Sequence, residues 1–340
     1  MAPELPQDIL MDIFSLLEIP DLMRSSSVCT SWRSACTSLR RLGQYDRHQT
    51  PCLFYTSESD GDNVACLYHL AAKKVYRLTL PDPPIRRRHL IGSSHDGWLV
   101  TADERSELHM VNPITGEQVA LPSVTTIEQV KPVVDDAGVI LNYELSQYCG
   151  DMVFNEDPIV HTPGDLRDHL YFKAFVFSEL STGGYIVVII HNPEHQLSFA
   201  RVWRKADVAA GDNEEDAPEW DISKIVYNTK KVYVYKIDME AKELVEIDGL
   251  NDHVLFLGNN QSQCLRAEEY PQLKANHVYF TDDLDGISLS FRVIRRDIGV
   301  LNLENNSREE IEPPQLWCGW PSPIWITPSL TIFGNLRLNK

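Results

Sequence analysis

Residues 5–33 read LPQDILMDIFSLLEIPDLMRSSSVCTSWR. Placed on a helix at 100° per residue, Leu16, Ile9, Ile13, Leu17, Leu10 and Phe14 fan across about 160° of its surface. A helix that only covers a core needs an apolar stripe of about 100°. This one carries a surplus. Pro6 stands where a first-turn proline is tolerated, and Asp8 puts negative charge at the positive helix end. Pro20 stops that helix and opens a second, with Asp21 as its first-turn acid. Thr30 or Ser31 is expected to cap a third, in which Trp32, Ala35, Cys36 and Leu39 follow the i, i+3, i+4, i+7 rule. Three short helices in about forty residues are too few for a stable core of their own. The unit needs a partner.

Outward from this stretch the texture changes. From Pro51 onward, β-branched and aromatic residues alternate with polar ones in short runs broken by Gly, Pro, Asn and Asp. Five segments share one form of strand, polar turn and strand: 65–81, 107–122, 185–203, 231–247 and 295–314. Their turns centre near residues 72, 114, 194, 240 and 305. The spacing fits a unit of about 40–50 residues with insertions, which is the period of propeller blades. A sandwich is the main rival, and a solenoid lacks its Leu or Gly ladder. GDNEEDAPE (211–219) reads as a solvated acidic loop and 147–169 as a long irregular insertion. The expected organisation is a helical unit over 1–42, a linker over 43–50 and an all-β propeller over 51–340.

The 340 residues are 43% hydrophobic and 24% charged, which describes a globular chain. A formal charge of −18 argues against nucleic-acid binding. Residues 1–42 hold five acids against four arginines, a net of −1, which leaves −17 on the remainder. A protein held by that field would be basic, unless a local patch such as Arg86-Arg87-Arg88 overrules the mean. The same three arginines could assist nuclear entry, with a solvated loop as the simpler reading. Seven cysteines without a CxxC pair suggest neither a disulfide framework nor a zinc site. MAPELPQDIL lacks the basic start of a secretory signal, and YIVVII (185–190) is too short to span a bilayer. The sequons at Asn260 and Asn305 are then chance matches, and the expected location is cytoplasm, nucleus or both.

Signs of catalysis are weak, and no cofactor is expected. His191 and His195 are four apart, but Pro193 between them prevents the helix that would align them on a metal. Asp282, Asp283 and Asp285 before Gly286 lack the spacing and closing Glu of a calcium loop. There is no G-x-S-x-G elbow and no glycine-rich phosphate loop. Trp317, Trp320 and Trp325 crowd the segment 316–330, as core of a closing blade or as an interaction surface.

The opening stretch resembles the F-box, the helical module that docks onto the Skp-type adaptor of cullin-RING ubiquitin ligases. Leu5-Pro6, Asp8-Ile9-Leu10, Ile13-Phe14, Leu16-Leu17, Asp21-Leu22, Arg24, Val28-Cys29 and Trp32-Arg33 fall in its register. Segments 95–124, 253–283 and 299–330 resemble plant F-box proteins with the kelch-like β-propeller known as domain of unknown function 295. The resemblance implies a six-bladed propeller and a non-catalytic substrate-recognition subunit. Leu5, Pro6, Ile9, Leu10, Ile13, Phe14 and Leu17 would hold the adaptor, and through it cullin and RING subunits. Val28 and Trp32 would share duty with the module's own packing. The propeller would bind a protein substrate, with nucleic acid and membrane excluded as partners. A non-degradative scaffold or adaptor competitor is the alternative, and a propeller channel holding a small molecule or an active site is the more remote one.

Overall fold

A computed structural model describes residues 5–42, 44–45, 47–179, 184–202, 234–238, 243–247, 249–259, 261–270, 272–281, 298–313 and 317–330, with side chains not described at 234–238 and 243–247. The acidic stretch 211–219 and the aspartates at 282–285 lie outside these residues. Three helices open the chain: α1 (Gln7–Ser15), α2 (Ile19–Ser25) and α3 (Thr30–Arg41). Pro6, at φ −54°, sits just ahead of α1, and Asp8 lies in its first turn. Pro20 falls in the first turn of α2, where its missing N–H costs nothing. The expected cap of α3 is displaced by one residue. Extended Cys29 holds that place with no side-chain bond, and Thr30 is already helical.

The strands are β1 (Cys52–Tyr55), β2 (Val64–His69), β3 (Lys74–Thr79), β4 (His89–Ser93), β5 (Leu99–Ala102), β6 (Leu108–Asn112) and β7 (Glu117–Ala120). There follow β8 (Val130–Val134), β9 (Ile140–Cys149), β10 (Met152–His161), helix α4 (Pro163–Leu170), β11 (Tyr171–Glu179), β12 (Gly184–His191) and β13 (Gln196–Val202). The rest are β14 (Val234–Asp238), β15 (Glu243–Ile247), β16 (His253–Leu257), β17 (Gln263–Arg266), β18 (His277–Phe280), β19 (Gly299–Asn302), β20 (Arg308–Glu310) and β21 (Ile324–Ile326). The described strands form six sheets: β21-β1-β2-β3, β4-β5-β6-β7, β10-β9-β8, β11-β12-β13, β14-β15 and β17-β16-β18-β19-β20. All five segments read as hairpins are antiparallel pairs, β2–β3, β6–β7, β12–β13, β14–β15 and β19–β20. In the β6–β7 turn the Asn112 carboxamide accepts the N–H groups of Ile114 (3.0 Å) and Thr115 (3.2 Å), and Gly116 takes φ +72°.

Alternation along each strand is what stacks the sheets. In β1, Cys52 and Phe54 enter one core while Leu53 and Tyr55 enter another. Adjacent β21 does the same, with Ile324 and Ile326 on one side and Trp325 on the other. Leu99 of β5 shares the first core, whereas Val100 and Ala102 face a third that extends to β9, α4 and β11–β13. These sheets are thus buried on both faces, the packing of a propeller-type domain. A Cβ at Gly92 in β4 would strike the Ala174 carbonyl of β11, so only glycine allows these two strands to approach so closely.

Two expectations need correction. The stretch 147–169 is not irregular: it holds the β9–β10 hairpin and α4. Strand β10 is almost wholly exposed, and its register with β9 slips between Val153 and Asn155 and again before Ile159. No buried alternation marks it. The arginine run is not a free basic patch. Arg86 pairs with Asp62 (3.4 Å), and Arg87 with Asp62 (3.8 Å) and Glu104 (3.6 Å). Arg88 is buried, donating to the carbonyls of Pro83 (2.7 Å) and Pro81 (2.9 Å), to Gln118 Oε1 (2.8 Å) and to Thr101 Oγ1 (3.2 Å). Burial lowers its pKa to about 10. The tryptophans follow the core reading, not that of an interaction surface. Trp325 is core, Trp317 packs half-buried against Tyr55, and Trp320 lies between His89 and Arg167.

Candidate functional site: an apolar helical face

Helix α1 and the two residues after it carry two adjacent stripes. Leu10, Phe14 and Leu17 form one at i, i+4, i+7, and Ile9, Ile13 and Leu16 form the other. The first turns inward. Leu10 and Phe14 (2% exposed each) join Leu22, Ala35, Cys36 and Leu39 in a core of the helices' own, with Leu17 and Trp32 half-buried at its margin. Phe14 meets the Trp32 ring edge-on at 5.3 Å. The second stripe faces solvent, with Ile9 42%, Ile13 43% and Leu16 70% exposed. Leu5 (51%) extends it at one end, Pro6 is exposed beside Leu5, and Val28 (63%) stands on the turn between α2 and α3.

This placement divides the residues expected to hold a partner. Leu10 and Phe14 turn inward, because the three helices bury them in their own core. Leu5, Pro6, Ile9, Ile13 and Val28 are accessible, while Leu17 and Trp32 expose only an edge. Leu16 belongs with the accessible group although it was not among the expected docking residues. Its place at i+7 from Ile9 was the available signal.

The helical unit is fastened to the first sheet through α2. Ile19 enters the core shared with β1–β3, and its N–H donates to Gln49 Oε1 (3.0 Å). Asp21 accepts from Lys74 Nζ (2.6 Å) and from the Tyr76 hydroxyl (3.0 Å), with the Arg24 guanidinium over the Tyr76 ring at 5.0 Å. Glu18 takes the Nε2 of buried His69, whose Nδ1 accepts the Ala72 N–H (3.0 Å), and also pairs with Arg47 (3.4 Å). Burial pushes the Glu18 carboxyl upward, but His69 and Arg47 outweigh it and leave the pKa below its ordinary value. The same balance, set by Lys74 and Tyr76, lowers Asp21. Tyr45 donates its hydroxyl to the Leu17 carbonyl (2.7 Å), and Arg47 bonds to that of Leu16. These bonds fix the outward stripe relative to the sheets.

Elsewhere the chemistry is structural. His191 donates from Nδ1 to the Asn192 carbonyl (2.7 Å) and accepts at Nε2 from Ser198 (2.9 Å), while His195 stacks on Phe172 at 4.4 Å. The two histidines share no ligand position, and Glu194 and His195 make the turn with positive φ. Among the described residues no cluster of three His, Cys, Asp or Glu is placed to hold a metal, and no helix is long and apolar enough to cross a membrane. A cleft of about 330 Å³ beside β13 is lined by Leu108, Leu121, Val124, Ile189 and Phe199 with Ser and Thr hydroxyls, and by no ionisable side chain.

Comparison with known proteins agrees with both halves. Residues 2–42 match an F-box-like family model, and residues 67–225 and 220–302 match the KIB1-4 beta-propeller model. An F-box protein of Arabidopsis thaliana is 34% identical over 121 residues, covering 35% of this chain and 30% of its own. An F-box/kelch-repeat protein of Arabidopsis thaliana is 35% identical over 121 residues, 35% of this chain and 32% of its own. The chain thus spans about a third of the length of these relatives. A probable F-box protein of the same plant is 23% identical over 375 residues, 96% of both chains. With a β-rich domain that matches over most of its length and an F-box-like unit of three helices before it, the chain belongs to the KIB1-4 beta-propeller family of plant F-box proteins.

Proposed function

We propose that the protein is the substrate-recognition subunit of a Skp-cullin-F-box ubiquitin ligase. The observation that carries this reading is the outward stripe of Leu5, Ile9, Ile13 and Leu16, with Val28 exposed on the turn between α2 and α3, on a helical unit whose own core is already filled. A contiguous apolar face left in water marks a protein interface. Here it would receive the Skp-type adaptor and, through it, cullin and RING subunits. The propeller-type domain, six-bladed in this reading because its described strands fall into six sheets, would hold the protein to be ubiquitinated. The chain makes and breaks no bond. It brings a substrate lysine to the charged conjugating enzyme and turns a bimolecular encounter into an effectively intramolecular one.

The test is Ile13→Asp. Its side chain is exposed in the free protein, so the fold tolerates the change, but in an adaptor complex it would bury an unpaired charge at a cost of several kcal/mol. Copurification of a Skp-type adaptor should be lost while circular dichroism and the urea midpoint stay unchanged. Adaptor recovery equal to that of the parent would overturn the reading.

A further inference from the structure

We propose that the β9–β10 hairpin is a docking element for an extended, basic and apolar segment of another protein, which adds as a strand to the free edge of β10. The inference rests on the reading above that the β domain holds a protein substrate, and it names the chemistry of that substrate. Among the described residues, strand β10 is the outer strand of its sheet and pairs only with β9. In an antiparallel pair every second residue of an edge strand turns its N–H and C=O away from its neighbour, and among the described residues no strand is paired to this outer side of β10. Along it Met152, Val153, Phe154, Ile159 and Val160 are all exposed, Val153 by 64% and Val160 by 59%. Apolar side chains at this density on an open edge are what an added strand covers.

Charge selects the occupant. Between residues 131 and 161 stand Asp135, Asp136, Glu144, Asp151, Glu156 and Asp157, against Lys131 as the one formal cation. Lys131 already lies 3.8 Å from Glu144. A second copy of this chain would bring the same negative field to the same edge, and like charges oppose that pairing. Pro158 acts in the same direction. It offers no N–H, and with the register slip between Asn155 and Ile159 it divides the strand into two short paired runs, Met152–Asn155 and Ile159–His161. A segment that alternates apolar side chains with Lys or Arg fits both the short edge and the acidic surround.

The experiment measures fluorescence anisotropy of a labelled eight-residue peptide of alternating valine and lysine against the full chain, with a valine–glutamate peptide as control. The lysine peptide should bind, the glutamate peptide should not, and affinity should fall at least tenfold between 50 and 500 mM salt. Val153→Ser with Val160→Ser should abolish binding. Glu156→Gln with Asp157→Asn should weaken it severalfold at low salt, and all four positions are exposed enough to leave the fold intact. Equal binding of the two peptides, or undiminished binding by both double variants, would overturn the proposal. Recovery of the Skp-type adaptor is read on the same preparations. Its absence alongside intact peptide binding would refute the ligase reading and leave the hairpin standing, and the converse would refute the hairpin alone.

Discussion

Replacing Asp21 by alanine separates two contributions at the seam between the helices and the first sheet. The carboxylate serves Lys74 and Tyr76 at once. Its pair with Lys74 is short, 2.6 Å, but the two side chains are 37% and 40% exposed. Water screens such a pair to about 0.5 kcal/mol. Tyr76 is different. The residue is 3% exposed, and without Asp21 its hydroxyl loses a charged acceptor 3.0 Å away. A buried donor left unmatched costs about 1.5–3 kcal/mol. Asp21→Ala should therefore destabilise the full chain by about 2–3 kcal/mol, most of it from the tyrosine, whereas Lys74→Met should cost about 0.5 kcal/mol. Combining Asp21→Ala with Tyr76→Phe should cost less than the two changes summed, because the stranded hydroxyl is then absent. Urea unfolding followed by circular dichroism measures the parent, the three single variants and the double variant. If Lys74→Met were as damaging as Asp21→Ala, or the double variant fully additive, the stranded hydroxyl would not account for most of the loss.

Two further predictions probe the core. Arg88→Ala removes the buried guanidinium from two carbonyls, an amide oxygen and a hydroxyl and should lower stability by about 2–3 kcal/mol, while exposed Arg87→Ala should change it by less than about 0.5 kcal/mol. Equal urea midpoints for the two variants would refute the structural role of Arg88. Burial holds the His191 pKa below its ordinary 6.5, so the unfolded chain binds protons that the folded chain refuses. The stability this residue contributes is present above pH 6.5 and is lost as pH falls through the lowered value. Acidification also relieves the repulsion of a chain at −18, so the informative quantity is the stability difference between the parent and His191→Gln. That difference should shrink between pH 7.5 and 5.5, by at most about 1.4 kcal/mol per unit, and a constant difference would count against the assignment.

The parts legible in the sequence were those whose pattern is local. Helices α1–α3 announce themselves through Pro6, Pro20 and the spacing of Trp32, Ala35, Cys36 and Leu39, and five hairpins through alternation on either side of a polar turn. Strand β10 was missed because MVFNEDPIVH buries almost nothing, so tertiary pairing and not alternation makes it a strand. The parallel pairing of β16 with β18 was equally hidden, since a short apolar run such as HVLFL carries no direction. Arg88 looks like its two neighbours in sequence, and only its partners in the fold, the carbonyls of Pro81 and Pro83 with Gln118 and Thr101, distinguish it. At the candidate site the breadth of the apolar arc was visible, but periodicity alone cannot say which of two adjacent stripes turns inward. That choice falls to α3, whose Ala35, Cys36 and Leu39 claim Leu10 and Phe14.

The seam bears directly on the proposed role. A free tether the length of residues 43–50 would have an end-to-end distance of about 15 Å and would let the adaptor face wander relative to the sheets. The described part of that segment is not free. Tyr45 bonds to Leu17, Arg47 to Leu16 and Glu18, Gln49 to Ile19, and Thr50 is buried at the entrance to β1. Glu18 and Asp21, on the side of the helical unit turned toward the sheets, anchor to His69, Lys74 and Tyr76 on β2 and β3. In a ligase that works by proximity, such a joint replaces the averaging of a flexible tether with a set direction. The gain from proximity is largest when orientation as well as distance is fixed. Lysines within the reach so defined would then be modified in preference to others on the same substrate, and loosening the seam through Asp21 should broaden that choice before it lowers the overall rate.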